Sequence, residues 1–282
     1  MTVRSIAVLG AGTMGHGVAH AAAASGFDTR LYDVSDAQAT KARASIDGIL
    51  RKAVELGKAT AADADAAMAR LVTTSDVAAA LEGADLVIET APERMDIKMQ
   101  LFAAIEAHAP AGAVVASNTS ALSITEMAGT LKDPSRVAGM HFFNPVHKMK
   151  LIEIVRALES SDRALETIEA VARQMGKETV LVREAPGFIT TRVNASIGNE
   201  AFYMLMEGVA SARDIDKALK LGLNHPMGPF ELVDLVGLDT RLSILEYLHK
   251  SMGEKYRPCP LLSQYVKAGR LGKKVGKGVY DY

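Results

Sequence analysis

The sequence predicts an α/β doubly wound sheet joined to a C-terminal all-helical domain. Three observations carry that expectation. Up to about residue 183, short apolar runs alternate with longer amphipathic segments. A glycine-rich turn links the first run to a helix-like segment. From Pro186 onward the strand-like runs largely vanish. Alternating strand and helix patterns indicate a sheet covered by helices on both faces. The predicted division is 1–183 and 184–282, with the junction at REAPG (183–187).

The expected strands are SIAVLG (5–10), TRLYD (29–33), ADLVIET (84–90), AVVASN (113–118), RVAGMHFF (136–143), KLIEIV (150–155) and ETVLV (178–182). Most are continuous apolar runs rather than strict alternations, as parallel strands buried on both faces require. Among the helices, 97–108 places Ile97, Leu101 and Ile105 on one stripe. A helix pair is inserted after the second strand. Ser35 and Gln38 form a capping-box pattern, the helix runs to about Leu56, and Gly57 stops it. A second helix starts at Thr60, before the Val72–Thr74 run. In the C-terminal part, segments 188–207, 213–221, 229–252 and 261–269 read as helices.

Composition narrows the function. The 282 residues are 49% hydrophobic and 23% charged, too apolar for a disordered chain. Lys and Arg number 32 against 33 Asp and Glu, without the basic excess of a nucleic-acid binder. The single cysteine, Cys259, can form neither an internal disulfide nor a cysteine-cluster metal site, and suits a reducing compartment. No apolar run approaches the ~20 residues that span a bilayer. The first residues enter a buried-strand pattern at once, without a signal-peptide pattern. A cytoplasmic protein with no membrane or nucleic-acid partner and no bound metal is expected.

Gly10-Ala11-Gly12-Thr13-Met14-Gly15 matches G-x-G-x-x-G between a buried run and an Ala-rich helix. In a Rossmann-type unit Gly10 permits the tight turn, Gly12 lets the backbone approach a pyrophosphate, and Gly15 lets the helix pack against the sheet. The helix N-terminus, including Thr13 and Met14, offers amides and a positive dipole end to phosphates. Asp33 lies 33 − 15 = 18 residues past the last glycine, placed to accept hydrogen bonds from ribose hydroxyls. It would repel a 2′-phosphate, which favours NAD over NADP, although Arg30 and Lys41 lie nearby in sequence. The plainer alternative is a glycine turn with a capping acid.

An enzyme that oxidises an alcohol with a dinucleotide needs a proton acceptor, and histidine, with an ordinary pKa of about 6.5, suits that task. Of seven histidines, only His141 ends an expected strand, and ligands of open α/β sheets bind beyond such ends. The polar stretch Ser117-Asn118-Thr119-Ser120 follows another strand. Glu153 interrupts the apolar run Leu151–Val155, a costly place for a carboxylate unless it is paired. His141 is one candidate partner for it, and backbone amides are the other.

The segments SNTS, HFFNPVHKMKLIEIV, APGFITTR and LNHPMGPFELVDLVGLD, with the glycine loop and the terminal GKGVYDY, resemble the 3-hydroxyacyl-CoA dehydrogenase family in its short, single-function bacterial form. The resemblance runs nearly end to end. It implies a dinucleotide-binding domain followed by a helical dimerisation domain, and a homodimer. It also implies NAD-dependent oxidation of a 3-hydroxyacyl-CoA of fatty-acid metabolism, such as 3-hydroxybutyryl-CoA, to its 3-oxo form. By the same resemblance His141 is the acid/base, Glu153 its orienting carboxylate, and Ser120 the hydroxyl that holds the C3 oxygen. Asn118, Glu93 and Lys98 line the cofactor, and Asn144 and Thr191 face the substrate. Thr191 fills a slot where many members have asparagine, and Asn194 lies one turn on. The insertion helices bind part of coenzyme A in the family. Arg51, Lys52 and Lys58 thereby become candidates for its phosphates, beside the simpler reading of a solvated basic face.

Two other functions share this fold: a dehydrogenase of a free hydroxy or sugar acid, and an NAD-binding sensor without chemistry. An anchored cationic site for a small carboxylate would favour the first over a basic face for coenzyme A, and intact Ser120, His141 and Glu153 argue against the second.

Overall fold

The computed structural model describes residues 2–282, which divide into two units, the first ending at Glu184 and the second spanning Ala185–Tyr282. The first unit begins with β1 (Ser5–Leu9), α1 (Thr13–Ala24), β2 (Asp28–Tyr32), the insertion helices α2 (Asp36–Glu55) and α3 (Ala61–Ala69), and β3 (Leu71–Thr74). It continues through α4 (Val77–Leu81), β4 (Leu86–Glu89), α5 (Met95–His108), β5 (Val114–Ser117), α6 (Ile124–Ala128) and β6 (Val137–Phe142). It closes with β7 (Leu151–Arg156), α7 (Asp162–Gln174) and β8 (Glu178–Arg183). The strands form one sheet in the order β3-β2-β1-β4-β5-β6-β7-β8. The chain leaves β1 in opposite directions for β2 and β4, and that reversal is the switch point beside which doubly wound sheets bind ligands.

The expectation of parallel strands holds from β3 to β6 and again for β7 with β8, but β6 and β7 are antiparallel. The cause is length. A parallel return needs a crossover of about a dozen residues or more, and only 143–150 separate β6 from β7. The antiparallel register sets His141 directly opposite Glu153.

Two helix expectations also need correction. In α5 the buried positions are Lys98, Phe102 and Ile105, whereas Ile97 and Leu101 are half-buried. The stripe is rotated by one residue because a lysine occupies it. In α2 the Ser35 side chain accepts from the Gln38 amide, but the Gln38 side chain donates to the Ala11 carbonyl at 2.8 Å rather than closing a box on Ser35. A complete capping box does form at Thr60 and Asp63, opening α3.

The second unit is helical: α8 (Thr190–Met206), α9 (Ala212–Gly222), α10 (Pro229–Val236), α11 (Leu238–Met252) and α12 (Pro260–Lys267). The single helix expected over 229–252 is two, broken at Gly237, whose φ of +104° only glycine adopts readily. Leu235 and Val236 are consequently exposed, while Leu238 and Leu245 enter a core with Phe202, Phe230 and Leu262. The C-terminal segment is held by buried carboxylates. Asp234 accepts from the amides of Val279 (2.8 Å) and Tyr280 (2.9 Å) and from the Tyr282 hydroxyl (2.9 Å). Asp216 accepts from the amides of Phe230 and Glu231 at the start of α10 and from the Tyr280 hydroxyl at 2.7 Å. The motifs MGPFELVD and GKGVYDY therefore belong to one structural clasp.

Candidate active site

The glycine loop leaves β1 with Gly10 at φ +105°, its amide donating to the Tyr32 carbonyl at 2.8 Å. A Cβ on Gly15 would lie 1.7 Å from the Gly10 carbonyl oxygen, so α1 starts in contact with the loop it closes. Gly12 differs. A Cβ there would meet no atom of the protein within 4 Å, and nothing in the chain itself requires glycine at that position. Gly12 is also the N-cap of α1 and provides no side-chain cap, so the helix offers amides beside an open approach. Such a site suits a pyrophosphate.

Asp33 follows β2, and both its oxygens serve this loop and its neighbour: Oδ2 accepts from the Ala11 amide at 2.9 Å and Oδ1 from the Ser35 amide at 3.1 Å. It thus fixes the glycine loop while standing at the strand end where a ribose would arrive. Arg30 donates instead to the Glu82 carbonyl.

At the same edge of the sheet, β6 and β7 bring the His141 ring to Glu153, with Nδ1 2.7 Å from Oε2. Both side chains are buried. A carboxylate can only accept, so Nδ1–H donates and the acceptor nitrogen of the neutral ring is Nε2. Phe143 packs on the imidazole with ring centroids 4.7 Å apart. Asn118 accepts from the Phe142 amide at 2.8 Å, tying the end of β5 to the end of β6. Ser120 lies half-buried in the turn that follows.

Glu93 is the organiser of that turn. Its Oε1 accepts from the Thr119 hydroxyl (2.6 Å) and the amides of Ser120 (2.8 Å) and Ala121 (3.1 Å). Lys98 is not a surface group: its side chain is 1% exposed, and its ammonium lies 2.8 and 2.9 Å from the two oxygens of Glu89 and 3.2 Å from the Ala91 carbonyl. Sequence reading passed over Glu89. The signal was present, since it ends the apolar run Leu86-Val87-Ile88 much as Glu153 interrupts its own.

The remaining residues lie in the insertion helices, the loop after β6 and the second unit. Arg51 pairs with Asp47 (3.1 Å) and Asp65 (2.8 Å), which hold its guanidinium above its ordinary pKa, and Lys52 pairs with Glu55 at 2.8 Å. Lys58 is exposed just past Gly57. Asn144 is exposed in the loop after β6, and Thr191 is half-buried in the first turn of α8.

Comparison with known proteins gives this arrangement a lineage. Residues 5–185 match the family model "3-hydroxyacyl-CoA dehydrogenase, NAD binding domain", and residues 187–282 match "3-hydroxyacyl-CoA dehydrogenase, C-terminal domain". A probable 3-hydroxybutyryl-CoA dehydrogenase of Bacillus subtilis is 46% identical, over 100% of this chain and 98% of its own. Among solved structures, (S)-3-hydroxybutyryl-CoA dehydrogenase PaaH1 from Ralstonia eutropha is 41% identical with a TM-score of 0.95, covering 100% of this chain and 99% of that one. FadB2 of M. tuberculosis is 38% identical with a TM-score of 0.96, and each chain is covered in full. With the glycine loop, the buried histidine–glutamate pair and both halves of the chain matched, the protein belongs to the 3-hydroxyacyl-CoA dehydrogenase family, and its first unit is that family's NAD-binding domain.

Proposed function

We propose that the protein interconverts (S)-3-hydroxybutyryl-CoA and acetoacetyl-CoA, with His141 as the acid/base. The observation that carries this reading is the buried His141–Glu153 pair at the carboxyl edge of the sheet that also bears the glycine loop. In the oxidising direction His141 takes the C3 hydroxyl proton at Nε2, and in the reducing direction it returns that proton. Glu153 holds the ring in the tautomer that makes Nε2 an acceptor. Ser120 donates a hydrogen bond to the C3 oxygen, where charge accumulates. NAD, when bound, supplies or accepts the hydride. Gly12 and the α1 N-terminus fit its pyrophosphate and Asp33 its ribose, while Glu93 and Asn118 shape the turn beside its nicotinamide.

The coenzyme A moiety is assigned to the insertion helices, with Lys58 ahead of Arg51 and Lys52, whose charges are already matched by Asp65, Asp47 and Glu55. Asn144, in the loop after β6, is assigned to the acyl thioester. The protein acts in the cytoplasm, as its single buried thiol suits a reducing compartment. It is a homodimer through the helical unit, supported by exposed Val209, Leu221 and Leu223 there. Light scattering at the 29.9 kDa monomer mass would overturn that assembly.

Steady-state NADH oxidation tests the activity. Acetoacetyl-CoA is expected to be reduced efficiently and free acetoacetate poorly, with NADH preferred to NADPH. Asp33→Ala should weaken NADH and narrow the preference, because Asp33 would repel a 2′-phosphate. Equal use of both cofactors by the unaltered protein would remove Asp33 from the reading.

A further inference from the structure

One heavily bonded carboxylate at the sheet edge has no task in the mechanism above. Glu89 ends β4, and its side chain is fully buried. Its two oxygens receive the Lys98 ammonium at 2.8 and 2.9 Å, the Ser117 hydroxyl at 2.6 Å and the Ala91 amide at 2.6 Å. We propose that Glu89 is a positioning residue for the reaction, setting the Ser120 hydroxyl through two routes that converge on the turn 117–121. The proposal rests on the reading of Ser120 given above.

The first route is short. Ser117, bonded to Glu89, accepts from the Thr119 amide at 3.2 Å and so fixes the turn from inside the strand end. The second runs through charge. Lys98, neutralised by Glu89, also faces Glu93 at 3.5 Å, and Glu93 gathers the Thr119 hydroxyl with the amides of Ser120 and Ala121. One ammonium therefore stands between two carboxylates, one buried and one nearer the surface. The buried carboxylate fixes where the ammonium sits, and the ammonium fixes where Glu93 holds the turn. Lys98 in turn acts on the cofactor side of the site through Glu93 and the Ala91 carbonyl rather than by direct approach.

The chemistry of Glu89 is not replaceable by an isostere. All four of its contacts are hydrogen-bond donors. Glutamine has the same shape but turns one acceptor oxygen into an NH₂ group, which would face a donor whichever way it lies. It also leaves the buried ammonium short of one negative partner. Glu89→Gln should therefore displace the turn without emptying any volume.

The test is a double-mutant cycle in the full-length protein, reading kcat for acetoacetyl-CoA with NADH, alongside NADH affinity by fluorescence. Glu89→Gln is expected to lower kcat by about tenfold or more in the native background, and by less than about twofold in a Ser120→Ala background, because contacts acting as a unit are non-additive. NADH affinity should change by less than about threefold, since none of the groups bonded to Glu89 belongs to the glycine loop or to Asp33. Equal losses in both backgrounds would overturn the proposal, because a merely structural ion pair damages both alike. An unchanged kcat in Glu89→Gln would overturn it as well. If Ser120→Ala alone is fully active, the reading of Ser120 fails and the proposal with it, a result visible without any Glu89 variant. Should Glu89→Gln not fold, Ser117→Ala cuts the first route with little disturbance. It should show a loss of about threefold that disappears in the Ser120→Ala background.

Discussion

In the sheet unit, the buried carboxylates of Glu89 and Glu153 each face a nitrogen side chain, the Lys98 ammonium at 2.8 Å and the His141 ring at 2.7 Å. In the helical unit, Asp216 and Asp234 face backbone amides and tyrosine hydroxyls instead. Both solutions satisfy a charge removed from water, as burial demands. Their consequences differ. A carboxylate against a titratable ring can hold that ring ready for proton transfer, whereas one against amides and phenols can only fasten chain to chain. The difference separates a pairing able to hold a proton-transfer group from one that only closes the chain, although burial alone does not distinguish them.

The strongest way to break this contrast is at His141. His141→Ala is expected to cost about 10²–10⁴-fold in turnover, the range for a general acid/base. It also leaves Glu153 buried without the imidazole, so a loss of about 3–5 kcal/mol in stability should accompany it. Glu153→Gln should lower turnover less while altering substrate affinity little. Steady-state kinetics beside thermal denaturation checks both variants. Near-native turnover in a folded His141→Ala protein would take the pair out of the mechanism.

Asp234 gives the intermediate effect. Asp234→Asn keeps the shape but sets an NH₂ group against either the Val279 amide or the Tyr280 amide and Tyr282 hydroxyl. A stability loss of about 1–3 kcal/mol is expected, read as a lower Tm, with turnover per folded molecule within about twofold of native. If turnover fell as far as in His141→Ala, the two units would no longer differ in kind.

The smallest effect sharpens the comparison by pH. Burial, together with the neighbouring Asp216 and Asp234, raises the Tyr280 and Tyr282 hydroxyls above their ordinary value of 10.0. Groups whose folded pKa is raised contribute stability below the unfolded value and lose it as pH climbs through the folded one. The clasp should therefore hold at neutral pH and weaken only in strong alkali. Phenolate absorbance should show these two tyrosines ionising late, and Tyr280→Phe should remove one late step. Simultaneous ionisation of both with exposed tyrosines would mean that the clasp opens in solution.

Much of this was legible in the chain. The apolar runs, the glycine turn and the loss of strand pattern after Pro186 depend on local periodicity, so they survived folding almost residue for residue. His141 and Glu153 were legible because a strand-end histidine and a charge inside an apolar run each demand an explanation. The direction of β7 was not, because periodicity describes the faces of a strand and says nothing of its partner. The stripe of α5 misled for a related reason. A lysine looks like a surface residue until Glu89, nine positions away, is known to lie beneath it. Gly237 was visible as a letter, but only its backbone angle makes it a helix break.

The antiparallel return from β6 to β7 has a kinetic consequence. His141 and Glu153 are 12 residues apart in sequence, whereas Thr90 joins the glycine loop, through the Gly10 carbonyl, across 80. Closing the shorter loop costs about 1.7 kcal/mol less chain entropy, by the logarithmic dependence on loop length. The His141–Glu153 pair can therefore assemble while much of the sheet is still unpaired, with the contact between Thr90 and the glycine loop following. Hydrogen-exchange labelling during refolding would then find the amides of β6 and β7 protected before those joining β1 to β4.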